Sequence, residues 1–166
     1  MVELKTQRLV LRPPQLEDKH SLAKRLNEWE VAKWLSNVPY PYTVSDAEAW
    51  IELIGREQAS LNLSIFLQDD LIGGVGLSQK EDGIYELGYW LATEHWGKGV
   101  ATEAAKELLA YGLRNLNCAR MVASYLKGNT ASAIVLRKLG FKEVGEGEIY
   151  CISRKEQMPC VYLALS

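Results

Sequence analysis

The chain has 166 residues, of which nearly half are apolar and about a quarter are charged, and this predicts a single globular domain over residues 1–166. Its formal net charge is −2 and it contains no long run of Lys or Arg, so nucleic acid is not an expected partner. The first residues, MVELKTQRLV, carry charges throughout and no segment approaches the length of a membrane span, which predicts a cytoplasmic protein without a signal peptide or a membrane partner.

The first third of the chain is predicted to form one strand and two helices. Alternating apolar and charged residues over Arg8–Arg12 indicate a strand, and apolar residues at helical spacing predict an amphipathic helix over Asp18–Trp29. The segment Val38–Tyr42 (VPYPY) is predicted to be a stiff loop, because proline fixes its backbone. Ser45–Glu48 has the spacing of a capping box, which predicts a second helix that ends near Ala59.

The middle of the chain changes to a period of two, which is typical of strands. Strands are predicted over 61–67, 71–77 and 84–91, and the short turns between them indicate an antiparallel meander. The later predicted elements are a helix over Val100–Asn115, a strand over Arg120–Leu126, a helix capped by Asn129 that ends at Leu139, and a hairpin of Glu148–Ser153 with Pro159–Leu165. The order β-α-α-β-β-β-α-β-α-β-β predicts an α/β (α+β) fold whose mixed, mostly antiparallel central sheet is flanked by helices.

The segment EHWGKGVATEA joins the strand predicted over 84–91 to the following helix. A helix start has unpaired N–H groups and a partial positive charge, and Gly97 and Gly99 let an anion approach them closely. The corner therefore predicts a phosphate site, with Lys98 adding positive charge; the alternative is that the glycines only permit a tight turn. Thr102 stands where a dinucleotide motif has its last glycine, and no P-loop spacing occurs.

Four segments in this order resemble the GNAT superfamily of acetyl-coenzyme A-dependent N-acetyltransferases, and within it the RimJ/RimL-like branch, which acetylates the N-termini of ribosomal proteins. The segments are TQRLVLRPPQLED, VPYPYTVSDAEAWI, ELGYWLATEHWGKGVATEA and NTASAIVLRKLGF, and together they span nearly the whole chain. The resemblance implies acetyl-coenzyme A (acetyl-CoA) as the acetyl donor, a primary amine as the acceptor, no metal, direct transfer in a ternary complex, and a monomer or homodimer.

The resemblance also implies a set of coenzyme-binding residues. The strand end at Trp90 and Leu91 is expected to part from its neighbour and to pair with the pantetheine arm, which Asn129 is expected to steady. The diphosphate is expected to bind the turn and the first helical residues, namely Trp96, Gly97, Lys98, Gly99, Val100, Ala101 and Thr102. Glu94 departs from the family pattern, which has Gln or Arg at that position.

Acetyl transfer requires a neutral amine, because the nitrogen must attack the thioester carbonyl. At pH 7 deprotonation costs about 4.6 kcal/mol for a lysine side chain but only about 1 to 1.4 kcal/mol for a protein α-amine. An α-amine needs little from a base, and Glu86, which matches an acidic position common in the family, is predicted to act through a water. Ser132 matches a serine of the RimL-like branch and is predicted to stabilise or protonate the departing thiolate, with Tyr125 as an alternative donor. A backbone N–H near Leu91 is expected to bind the oxyanion.

The acceptor is expected to bind beside aromatic side chains. Three aromatic residues are predicted to form one wall of its pocket: Trp34, Tyr40 and Tyr42. A protein or peptide N-terminus is the favoured acceptor, a small amine is an alternative, and a non-catalytic domain that senses acyl-CoA remains a further alternative. The cysteines, Cys118, Cys151 and Cys160, are expected to be core thiols rather than nucleophiles.

Overall fold

The computed structural model describes residues 1–165, which form one eight-stranded sheet with helices on both faces. The strands are β1 Leu4–Lys5, β2 Leu9–Arg12, β3 Ser60–Leu67, β4 Asp70–Glu81, β5 Ile84–Leu91, β6 Arg120–Leu126, β7 Phe141–Cys151 and β8 Glu156–Leu165. The α-helices are α1 Lys19–Leu26, α2 Trp29–Ala32, α3 Val44–Arg56, α4 Val100–Asn115 and α5 Thr130–Lys138. The sheet order is β1-β2-β3-β4-β5-β6-β8-β7, and β5 with β6 is the parallel pair, which confirms the predicted mixed sheet.

Two apolar clusters hold the helices against opposite faces of the sheet. Leu108 of α4 and Leu136 of α5 belong to the larger cluster, and Leu22 of α1 and Ile51 of α3 belong to the smaller one. Full burial of one such side chain contributes about 1.5–3 kcal/mol, so each helix is held firmly on its face. Within residues 1–165, no helix has the length and hydropathy that crossing a bilayer requires.

Strand β5 presents different residues to the two faces, because side chains alternate along a strand. Tyr85, Leu87, Tyr89 and Leu91 pack with the cluster under α4 and α5, whereas Trp90 packs with the cluster under α1 and α3. The intervening residues of β5 therefore point to the α1/α3 face, which we call the acceptor face.

The helix predicted over 18–29 is two helices in the structure. Asn27 ends α1 because its side-chain Oδ1 accepts a hydrogen bond from the backbone N–H of Tyr42 at 2.8 Å. Glu28 is extended, with φ −83° and ψ 120°, before α2 begins. Trp29 consequently does not share the buried face of α1, and it is 39% exposed.

The capping box of α3 lies two residues earlier than the one predicted at Ser45–Glu48. Thr43 is extended, and its hydroxyl accepts from the Asp46 N–H at 3.1 Å while the Asp46 carboxylate accepts from the Thr43 N–H at 2.8 Å. Helix α3 ends at Arg56, three residues before the predicted end. Two overlapping Ser/Thr-x-x-Asp/Glu patterns occur in the sequence, and the direction of the incoming loop selects the first.

The last hairpin and the meander are longer than the sequence pattern predicted. Strand β4 continues to Glu81 through a bulge after Gln79. Strand β7 begins at Phe141, directly after Gly140, whereas the prediction began at Glu148. Most of β7 is exposed at the sheet edge, so its residues lack the apolar alternation by which a strand is recognised.

Candidate active site

The parallel strands β5 and β6 part halfway along their length. Their pairing runs from Ile84 opposite Arg120 to Leu87 opposite Ala123 and ends there. Beyond that point β5 remains paired with β4 as far as Leu91, and β6 remains paired with β8. The facing backbone edges of 88–91 and 124–126 are therefore not paired with each other. Apart from the carbonyl oxygens of Leu91 and Leu126, which accept from Trp96 and from the Asn129 N–H, they are open to an extended, amide-bearing ligand, as the resemblance implied for this strand end.

The glycines of the turn after β5 have left-handed backbones. Gly97 has φ +72° and Gly99 has φ +75°, a conformation that side-chain-bearing residues rarely adopt. A Cβ at Gly97 would meet no atom within 4 Å, so the turn is also open to a ligand. Gly99 is the residue before α4, and no side chain within residues 1–165 caps that helix start. The first N–H groups of α4 are therefore available to an anion.

Trp96 and Val100 fasten this turn to the rest of the fold. The Trp96 indole Nε1 donates to the carbonyl oxygen of Leu91 at 2.7 Å, which joins the turn to the end of β5. Val100 is buried in the larger apolar cluster, so its side chain anchors the helix start and only its backbone faces the turn. Of the predicted coenzyme residues, Ala101 and Thr102 are partly exposed and Lys98 is exposed.

Arg8, which the sequence analysis did not select, lies directly before β2 and supports the turn. Arg8 donates from one guanidinium nitrogen to the Lys98 carbonyl oxygen at 3.0 Å and from Nε to Glu103 at 2.8 Å. Glu103 also accepts from the Thr6 hydroxyl. Burial acts to raise the pKa of Glu103, but these hydrogen bonds and the positive charge of Arg8 lower it. The Glu103 carboxylate, in the first turn of α4, is thus bound by Arg8 and Thr6.

The departure from the family pattern at Glu94 has a structural explanation. The Glu94 carboxylate binds the guanidinium of Arg25 in α1, and Arg25 also binds Asp70 at 3.0 Å. Asp70, Glu94 and His95 bring their ligand atoms within 4.8 Å of one another, a grouping that occurs at metal sites. Because Arg25 already supplies positive charge to both carboxylates, this cluster is an ion-pair network that ties α1 to the turn.

Asn129 and Ser132 lie together at the start of α5. The Asn129 side-chain oxygen accepts from the Ser132 N–H at 3.2 Å, as expected for a helix cap. The Ser132 hydroxyl lies 2.8 Å from the hydroxyl of Tyr89, which sequence reasoning did not select. Burial raises the pKa of Tyr89 to about 12, against a smaller lowering by the hydrogen bond with Ser132. Tyr89 belongs to the part of β5 beyond its pairing with β6, so this contact joins that part of β5 to the first turn of α5.

Glu86 lies on the acceptor face, beside open space. Its partly exposed carboxylate is 3.1 Å from the Lys80 ammonium. A Cβ at Gly88, two residues along β5, would meet no atom within 4 Å. The next residue on this face, Trp90, packs closely over Gly74 of β4. The Glu86 carboxylate therefore lies at the start of the gap between β5 and β6.

The three aromatic residues predicted for the acceptor wall have different environments. Trp34 packs near the open end of β6 and has the cations of Lys33 and Arg154 over its ring at 5.5 and 5.2 Å. Tyr40 packs against Trp29 in the loop before α3, with ring centroids 4.9 Å apart. Tyr42 is only 6% exposed, so the structure places it in the core instead of on the pocket wall predicted from sequence. Burial, with the negative charge of Asp46, raises the pKa of Tyr42 to about 12.

The remaining candidate groups are engaged elsewhere. Tyr125 donates its hydroxyl to Glu143 of β7 at 3.1 Å, and it lies on the same face of the sheet as Tyr89, where it lines a cavity together with Asn129. The three cysteines are free thiols; Cys151 and Cys160 are buried and Cys118 is partly buried. Their environment agrees with the expectation of core thiols.

An anion site at a helix start, next to a strand edge open to an amide-rich arm, is the arrangement that an acyl-CoA requires. The fold and the site together define an acyltransferase that takes its acyl group from coenzyme A. Comparison with known proteins gives the family. A model described as the acetyltransferase (GNAT) domain matches residues 8–142. The chain belongs to this family, and it is an acetyl-CoA-dependent N-acetyltransferase.

Similar proteins include both sequence relatives and solved structures. The uncharacterized N-acetyltransferase p20 of Bacillus licheniformis is 36% identical over 152 residues, which cover 87% of this chain and 85% of the relative. The ribosomal protein uS5-alanine N-acetyltransferase of Escherichia coli is 27% identical over 163 residues, 91% and 84% of the two chains. The structure of RimL, a ribosomal L7/L12 alpha-N-protein acetyltransferase in complex with coenzyme A, has the same fold, with a TM-score of 0.81 at 18% identity over 99% and 98% of the two chains. The enzyme hypothesis is thereby confirmed over the non-catalytic alternative.

Replacing Gly99 with alanine is expected to weaken coenzyme binding. A left-handed backbone costs a residue with a Cβ about 1–2 kcal/mol, and relief of that strain would rotate the N–H groups of the turn. We expect roughly a tenfold loss of affinity for acetyl-CoA in isothermal titration calorimetry. Gly55→Ala, at an exposed helical glycine with open space around it, is the control and should bind normally. Unchanged affinity in a folded Gly99→Ala protein would contradict the assignment of this turn.

Replacing Glu103 with glutamine is expected to change how stability depends on pH. Because the folded-state pKa of Glu103 is below its ordinary value of 4.5, its contribution is present above pH 4.5 and is lost as pH falls through the folded pKa. Urea unfolding should show Glu103→Gln less stable than wild type by about 1 kcal/mol at neutral pH, with the difference shrinking in acid. Glu107→Gln in the same helix is the control. A difference that stays constant with pH would refute the role of ionised Glu103.

Proposed function

We propose that this acetyltransferase acetylates the N-terminal α-amine of a protein or peptide, with Glu86 accepting the amine proton through a water. The observation that carries the proposal is the position of Glu86 beside Gly88 on an open sheet face, at the start of the gap between β5 and β6. Lys80 lies 3.1 Å from that carboxylate and fixes its position on the open face.

The energetics of deprotonation favour this acceptor class. An α-amine costs about 1 to 1.4 kcal/mol to deprotonate at pH 7, and a lysine side chain about 4.6 kcal/mol. Glu86 is partly exposed, so water can reach its carboxylate and carry the amine proton to it. Such a group suffices for an amine that is partly neutral already.

The shape of the acceptor face also supports a chain end as the acceptor. A Cβ at Gly145 of β7, like one at Gly88, would meet no atom within 4 Å. Tyr162 of β8 is 40% exposed, and its ring lies against Gly147 of β7. Because the ring is directed toward β7, it does not cover the surface toward β6. An open face admits the terminus of a large molecule, whereas a small amine is usually bound in an enclosing pocket.

A small cavity lies at the open end of β6, next to Trp34. Its volume is about 50 Å³, and its lining includes the side chains of Ser36 and Ser124. We propose that it takes the first side chain of the acceptor, which must then be small. The relative from Escherichia coli is named for acetylating an alanine of ribosomal protein uS5, which is in keeping with a small first residue.

The remaining roles follow the path of the coenzyme. We propose that the diphosphate binds the N–H groups from Gly97 to Thr102, and that pantetheine pairs with the edge of β5 at Trp90 and Leu91. The side-chain nitrogen of Asn129 would donate to the same arm. In the transfer the amine nitrogen bonds to the acetyl carbon, the C–S bond breaks with its electron pair on sulfur, and Ser132 donates a hydrogen bond to that sulfur. A cytoplasmic location suits this acceptor class; a monomer or homodimer stays a prediction.

Paired peptides test the acceptor class. One peptide has a free α-amine and no lysine, and its partner has the same sequence with a blocked N-terminus and one lysine. At a pH of about 7.5 the difference in neutral fraction is roughly two- to three-hundredfold, so the free α-amine should be acetylated faster by about two orders of magnitude. Mass spectrometry locates the acetyl group. Acetylation mainly on lysine would overturn the proposal, and turnover with small amines alone would replace the acceptor.

Replacing Glu86 with glutamine tests the base. We expect kcat to fall by about a hundredfold or more near neutral pH, with acetyl-CoA affinity within about twofold of wild type, since the group moves a proton and does not bind the coenzyme. The loss should shrink as pH rises past the pKa of the amine, where no base is needed. Glu81→Gln, an exposed carboxylate of the same hairpin, is the control and should keep full activity. Equal rates for wild type and Glu86→Gln would exclude Glu86 as the base.

A further inference from the structure

Tyr89 makes two contacts with Ser132 across the gap between β5 and α5. Its hydroxyl oxygen is 2.8 Å from the Ser132 hydroxyl and 3.2 Å from the Ser132 carbonyl oxygen. Tyr89 is on β5, just beyond Leu87, where the pairing with β6 ends. Ser132 is in the first turn of α5, fixed by its N–H bond to Asn129. The contact therefore joins the two sides of the space in which the end of the pantetheine arm is proposed to bind.

The direction of the hydrogen bond between these hydroxyls decides what Ser132 can do. If Ser132 donates to Tyr89, its only hydrogen is used inside the protein. If Tyr89 donates to Ser132, the serine hydrogen is directed elsewhere. The Ser132 carbonyl oxygen can only accept, so Tyr89 is the donor in the 3.2 Å contact and its one hydrogen already points toward Ser132. The Ser132 hydroxyl oxygen is the nearer acceptor for that hydrogen, at 2.8 Å, and a phenol is a stronger donor than an aliphatic alcohol, so the second direction is favoured. Burial raises the pKa of Tyr89 to about 12, which keeps its hydrogen in place.

We propose that Tyr89 is a positioning residue: it donates its hydroxyl hydrogen to the Ser132 hydroxyl, so that Ser132 directs its own hydrogen at the sulfur of acetyl-CoA. The inference rests on the role proposed above for Ser132. It adds a residue that acts through that serine and touches neither the acetyl group nor the acceptor. The hydrogen bond from Tyr89 polarises the Ser132 hydroxyl, and this strengthens the hydrogen bond that Ser132 donates to the sulfur.

The reaction balances without a proton transfer from either hydroxyl. The acceptor nitrogen bonds to the acetyl carbon and gives its proton to water and Glu86. The C–S bond breaks, and sulfur keeps the electron pair while the Ser132 hydrogen bond stabilises its negative charge. Coenzyme A takes its proton from solvent on release, and Tyr89 and Ser132 remain protonated throughout.

A double-mutant cycle of Tyr89→Phe and Ser132→Ala tests the inference. The transfer step is measured in single turnovers with any amine that the wild type acetylates, so that product release does not mask it. Tyr89→Phe keeps the ring and removes one hydroxyl, and it should slow transfer about three- to tenfold, as expected for one neutral hydrogen bond, with acetyl-CoA affinity within about twofold. In the Ser132→Ala background the same change should have less than about a twofold effect.

Tyr85→Phe is the matched control, since Tyr85 is on the same face of β5, is buried, and makes no side-chain hydrogen bond among the described residues. It should leave the transfer rate unchanged. Equal slowing by Tyr89→Phe in both backgrounds, or slowing no greater than that of Tyr85→Phe, would overturn the positioning role alone. An unchanged rate in Ser132→Ala would overturn the proposed role of Ser132 as well, and acetylation of a different amine class would leave the inference intact.

Discussion

The site depends on one constraint, the end of pairing between β5 and β6 after Leu87 and Ala123. Each strand keeps an antiparallel partner on its other side, β4 for β5 and β8 for β6, so each follows its own partner as the sheet twists. Close packing of Trp90 on Gly74 keeps β5 against β4 along this stretch. The two backbone edges thus stay apart without losing the strands, and a ligand can supply the missing pairing.

The proposed phosphate site at the turn before α4 requires N–H groups that the protein does not use itself. Gly99 precedes α4 without a capping side chain, whereas α3 and α5 are capped by Thr43 and Asn129. The nearby carboxylates of Glu103 and Glu94 are held by Arg8 and by Arg25. Both ion pairs join the turn to earlier parts of the chain, so they also brace its backbone. Their arrangement leaves the helix start to an anionic ligand.

The two-residue period of β5 separates the proposed chemical roles onto opposite faces. Glu86 and Gly88 point to the acceptor face, where the amine would arrive. Tyr89 points to the other face, where it contacts Ser132. A base and a leaving-group partner on opposite sides of one strand can both reach a thioester at its edge. The same alternation would be disrupted by a shift of one residue in the pairing of β4 with β5.

The sequence by itself determined most of the elements, the glycine turn before α4 and the family, because these depend on short patterns: periods of two and of 3.6 residues, glycines at a strand-to-helix corner, and a cap before a helix. Edge strand β7 was found only in part, since an exposed strand has no apolar alternation. Choosing between the caps at Thr43 and Ser45 required the path of the preceding loop. Tertiary structure alone decided that Tyr42 lies in the core and that Arg8 meets Glu103, Arg25 meets Glu94, and Tyr89 meets Ser132. These partners are 95, 69 and 43 residues apart, and contacts over such separations are set by how helices pack on the sheet, which leaves no signal in a local pattern.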